Sequence, residues 1–109
     1  MEVDSKGRLG VIVPSGNTLL EPELTALGLP GVTFHFSRIC NYRDTEEELS
    51  AMLDEAPYAA ELLSHAGVSA VLFGCTGGSF LKGGDYDTEV KARIQQRVAV
   101  PVTTTSSAV

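Results

Sequence analysis

Val68-Ser69-Ala70-Val71-Leu72-Phe73-Gly74-Cys75-Thr76-Gly77-Gly78-Ser79 is the stretch on which the fold of this chain turns. Its first half, Val68 to Phe73, is short, apolar and rich in β-branched and aromatic side chains, as in a buried strand of a parallel sheet. Its second half sets a cysteine at the strand's end. Gly77 and Gly78 then let the backbone turn tightly and aim several N–H groups at one point. Converging N–H dipoles favour negative charge, so a thiol beside them is biased towards thiolate. A nucleophile or a proton-transferring base is built in this way. The other reading is a free cysteine packed as a small hydrophobe.

Outward from this strand, helix and strand signals alternate. Arg8 to Val13 forms a first strand, ended by the turn cluster Pro14-Ser15-Gly16-Asn17. Thr18 to Leu27 makes a short helix, interrupted or started at Pro22, and Gly28 to Gly31 closes it. Val32 to Arg38 is a second strand, with Val32, Phe34 and Phe36 on one face and Thr33, His35 and Ser37 on the other. Thr45 and Glu48 have the spacing of a capping box. From there Leu49, Met52, Leu53, Ala56, Ala60 and Leu63 form an amphipathic stripe. Pro57 should kink or split this helix, and Gly67 should cap its end. Asp87 to Val98 reads as a third helix and Val100 to Thr104 as a fourth strand.

This β-α-β-α-β-α-β order predicts an α/β protein, a four-stranded parallel sheet with helices on both faces. In the flavodoxin-like order 2-1-3-4, the loops after strands 1 and 3 diverge and open a crevice at the carboxyl ends of the strands. Those loops are Pro14 to Thr18 and Cys75 to Ser79, so topology and local pattern select the same place. Residues 1–109 amount to a single α/β domain. The chain ends at Thr104-Thr105-Ser106-Ser107-Ala108-Val109, where a covering helix would be expected to begin, and the expectation is the front half of a longer protein.

Composition narrows the function. The hydrophobic share is 43% and the charged share 20%, the balance of a globular protein. Net charge is −6 and no Lys/Arg cluster occurs, so nucleic acid is not an expected partner. An anionic small molecule remains compatible, bound by backbone N–H groups. No apolar run reaches membrane-spanning length and no signal-peptide pattern opens the chain. A cytoplasmic protein is expected, with Cys40 and Cys75 reduced rather than paired.

Asn17 stands at the end of strand 1 with Ser15 and Thr18 beside it. Its amide could donate to a substrate carboxylate, or it could simply form a turn or cap a helix. Arg38 could clamp an anion, and reads more simply as a surface residue paired with Asp44 or Glu46. His35 lies mid-strand, away from the crevice, and His65 complements a helix C-terminus. Several sites are absent by motif: there is no Walker loop, no GxGxxG after a strand, no GxSxG elbow and no zinc-ligand spacing. Leu81 occupies the position where a cysteine phosphatase loop needs arginine. A thiol, an N–H nest and an amide remain, a set suited to a carboxylate whose carbon skeleton gains enolate-like charge.

The chain resembles the aspartate/glutamate racemase superfamily, within it the branch of maleate cis-trans isomerases and arylmalonate decarboxylases. The resemblance is carried by Gly10 to Thr18 with Glu21, by Gly74 to Phe80, and by Pro101 to Ala108, in order along nearly the whole chain. It implies that Asn17 contacts a substrate carboxylate and that Cys75 is the first of two active-site cysteines. Thr76, Gly77 and Gly78 would bind carboxylate through backbone N–H groups, with Ser15 beside them. Members of the family have two similar halves, the second supplying the other cysteine, and this chain would be the first. Decarboxylases of the branch have glycine at the first position, so Cys75 points to an isomerase of the maleate-to-fumarate type. An amino-acid or hydantoin racemase, an arylmalonate-type decarboxylase, and a non-catalytic carboxylate-binding domain are the alternatives. Neither the isomerase nor the racemase reaction of the family needs a metal, pyridoxal phosphate or nucleotide, so no cofactor is expected. The expected partners are a small carboxylate and, in a homo-oligomer, further copies of the chain; two half-molecules could share one site through their Cys75 thiols.

Overall fold

A computed structural model describes residues 7–43, 45–74 and 84–105. Its elements run β1 (Arg8–Pro14), α1 (Leu20–Ala26), β2 (Thr33–Ile39), α2 (Glu46–His65), β3 (Ala70–Phe73), α3 (Gly84–Gln95) and β4 (Val102–Thr104). The strands form one parallel sheet in the order β2-β1-β3-β4, as the alternation of elements predicts.

Strand register sorts the side chains onto two faces. Ile12, Ile39, Val71, Phe73 and Val102 face α2 and α3, and together with Leu49, Met52, Ala56, Ala60, Leu63, Val90 and Ile94 they make the core. The Tyr86 hydroxyl donates to the Leu49 carbonyl at 2.7 Å and fastens α3 to α2 within that core. Leu9, Val11, Phe34, Phe36, Ala70, Leu72 and Thr103 lie on the other face, on which Leu20 of the short α1 packs beside Val11 and Gly74.

The expected split at Pro57 does not occur, and α2 continues through it as one helix of 20 residues. An interior proline costs roughly 3 kcal/mol through its missing N–H and its ring. Seven buried residues, among them Leu49 and Met52 before the proline and Ala60 and Leu63 after it, hold both halves on the sheet and offset that cost. Likewise α1 begins before Pro22. In the first turn the absent N–H would have had no partner within the helix, so the proline is tolerated there. Gly67 takes φ +70° just beyond α2, the left-handed turn expected of a helix-ending glycine.

Candidate functional site

The crevice is built from the carboxyl ends of β1 and β3, which are neighbours in the sheet. β1 ends at Pro14, and Ser15 to Thr18 lead into α1. The Asn17 side-chain oxygen accepts from the N–H groups of Leu19 (3.0 Å) and Leu20 (2.9 Å). The side chain therefore forms the turn that leads into α1, as one of its readings had it. That contact also fixes the plane of the side chain and leaves its NH2 end without a partner among the described residues.

Ser15 is held at both ends. Its N–H donates to Ile39 at 2.8 Å, and its hydroxyl oxygen accepts from the Asn41 N–H at 3.1 Å. These bonds tie the loop after β1 to the loop after β2. The Gly16 and Thr18 N–H groups make no hydrogen bond among the described residues, and both residues are exposed.

Arg38 corrects its sequence reading. It pairs with Glu21 of α1, not with Glu46, while Asp44 lies outside the described residues. Its Nη1 also donates to the carbonyls of Asn17 (2.9 Å), Pro14 (3.3 Å) and Ser15 (3.4 Å). The sequence gives little warning of this, since the partners stand 17 to 24 residues away and only register brings them together.

Across the crevice, β3 reaches Gly74, whose N–H donates to Ile12 at 2.7 Å. A Cβ at this position would lie 2.6 Å from Leu20 Cδ2 and 3.0 Å from the Ile12 carbonyl oxygen. Only glycine lets β3 end so close to β1 and α1. Cys75, Thr76, Gly77 and Gly78 follow in sequence and lie outside the described residues, so of the expected site residues the structure brings together Ser15 and Asn17 on one loop.

The loop after β2 forms the outer margin. The Tyr42 ring packs over Gly16. The Glu48 carboxylate accepts from the N–H groups of Arg43 (2.7 Å) and Tyr42 (3.2 Å), while its own N–H donates to the Thr45 hydroxyl. The Arg43 N–H, first, and that of Tyr42 hold this carboxyl below its ordinary value against an opposing desolvation. Cys40, on the same loop, is exposed and unpaired, with its thiol turned towards Glu48 at 3.9 Å. His35 is half-buried in β2 and shares a 2.8 Å hydrogen bond with the Thr33 hydroxyl, away from the crevice.

A parallel sheet in this order, with its switch between β1 and β3, defines a doubly wound α/β protein of the flavodoxin-like class. The profile of the arylmalonate decarboxylase family matches residues 9–109, and the chain belongs to that family. It is 34% identical to the maleate isomerase of Pseudomonas putida (strain KT2440) over 93% of its own length and 45% of that protein's. A cysteine-to-alanine variant of the maleate isomerase Iso from Pseudomonas putida S16, solved with maleate, superposes with a TM-score of 0.73 at 29% identity, covering 93% of this chain and 45% of that one. The maleate cis-trans isomerase of Nocardia farcinica shares the fold, with a TM-score of 0.80 at 24% identity over 93% of this chain and 45% of its own. The chain thus spans less than half the length of the relatives it matches.

Proposed function

We propose that this chain forms the first half of a cofactor-independent cis-trans isomerase of small dicarboxylates of the maleate type, with Cys75 as its nucleophile. The observation that carries the reading is the loop after β1, whose Asn17 amide is locked by its oxygen and whose NH2 end and two neighbouring N–H groups remain available. Three donors on one short loop suit one carboxylate group. Similarity to maleate isomerases supports the choice of substrate class.

In this reading the Cys75 thiolate donates its electron pair to one carbon of the double bond. The π pair moves to the adjacent carbon and into its carboxylate, where donors from the two crevice loops stabilise the added charge. The former double bond is now single and rotates. The pair then returns, the S–C bond breaks, and the trans acid leaves with the thiolate restored. No proton is consumed and no redox partner is involved. The second cysteine of the site would come from the other half of the protein.

The test is conversion of maleate to fumarate, followed by proton NMR, for this chain and for the longest protein that carries it. Conversion that disappears in Cys75→Ser, by a factor of at least about 10², is the expected result. A folded protein with both halves that leaves maleate unchanged would overturn the proposal. The family profile favours a second reading, decarboxylation of an arylmalonate. Release of carbon dioxide from phenylmalonate, without fumarate formation from maleate, would select it.

A further inference from the structure

The arginine at the end of β2 has more to do than pair with a surface carboxylate. Each peptide unit is planar and trans, so its N–H points opposite to its C=O. The carbonyls of Ser15 and Asn17 belong to the same peptide units as the N–H groups of Gly16 and Thr18. Arg38 Nη1 holds the first two at 3.4 and 2.9 Å. It thereby turns the second two away from itself. The two N–H groups thus point away from the guanidinium and make no hydrogen bond among the described residues. A cation on the carbonyl oxygen also polarises the peptide unit and strengthens its N–H as a donor. Glu21, bound through Nη2, holds the guanidinium in place from α1.

We infer that Arg38 is a positioning residue for carboxylate binding, acting through the Ser15–Gly16 and Asn17–Thr18 peptide units and not by touching the substrate. The inference rests on the reading that the loop after β1 binds a substrate carboxylate. A planar guanidinium with five donors can serve several carbonyls and a carboxylate at once, whereas an ammonium acts as a point charge. Lysine should therefore restore only part of the effect.

Amide spectra of the 15N-labelled protein test this without reference to turnover. In Arg38→Ala the Gly16 and Thr18 amide resonances should move and their hydrogen exchange should quicken, while the core amides of Leu49 and Val71 stay where they are. Maleate affinity, titrated in the same samples, should fall about tenfold, the scale of one charge-assisted hydrogen bond. Arg38→Lys should lie between, and in the active protein the change should appear in KM with kcat largely kept. Unchanged Gly16 and Thr18 amides, or shifts spread equally over the core, would overturn the inference. So would an unchanged maleate affinity in Arg38→Ala when the wild type binds. If the wild type does not bind maleate at all, the substrate reading fails, and the amide resonances alone still decide whether Arg38 sets the two N–H groups.

Discussion

Gly74 shows how one missing side chain can shape a crevice. Its would-be Cβ meets Leu20 Cδ2, the far end of a flexible side chain, and also the Ile12 carbonyl oxygen, which belongs to the backbone. Leucine can rotate aside; the β1 carbonyl cannot, because it also accepts the Gly74 N–H. Gly74→Ala should cost about 1–3 kcal/mol, the usual range for overpacking. A urea titration followed by circular dichroism would measure this, and a cost near zero would mean that β1 and β3 separate more readily than their pairing indicates. Asn17 sits at the same scale. Its two readings, turn-former and ligand donor, are compatible, because the turn uses the oxygen and leaves the NH2 end. The sequence could not say so, since the amide's two ends are used by different partners and only one of them is local.

Among the elements, α2 is the one most legible from sequence. Its stripe from Leu49 to Leu63 is buried as the spacing requires, with Leu53 half-buried at its margin, and Thr45 caps it. The reach of Glu48 was less visible, because its acceptor role serves Tyr42 and Arg43 in the preceding loop and not the capping residue alone. The lowered pKa of Glu48 has a definite sign in stability. Its contribution is fully present above the unfolded-state value of about 4.5 and is lost as pH falls through the lower folded-state value. The difference in melting temperature between wild type and Glu48→Gln should therefore shrink as pH is lowered from about 6 to about 3. A difference that stays constant over that window would show that the carboxylate charge is not what holds the loop. Arg38 escaped the sequence reading for a related reason. Its partners are carbonyls, which every residue has, so no pattern of side chains could single them out.

The whole molecule is asymmetric about its sheet. α2 and α3 bury one face, while on the other, among the described residues, Leu9, Phe34, Leu72 and Thr103 have the seven-residue α1 beside them. Chain order was readable from the runs of valine, isoleucine and phenylalanine, and sheet order from the alternation of strands and helices. How far each face would be covered was not, because alternation along a strand tells which residues share a face and nothing of what lies on it. An apolar fluorescent dye should bind the chain, and Leu72→Gln should weaken that binding at a stability cost within about 1 kcal/mol, as for a partly exposed position. Unaltered dye binding would place the apolar surface elsewhere. The contacts around the crevice carry a different consequence. Arg38 and Glu21 are 44% and 36% exposed, within reach of dissolved ions. At high ionic strength, with the screening length down to a few ångströms, their attraction weakens and the loop after β1 loosens. Salt would at the same time relieve the repulsion between a dianion and a chain of net charge −6. For the proposed dicarboxylate, arrival and retention should then respond to salt in opposite directions, faster association set against faster escape.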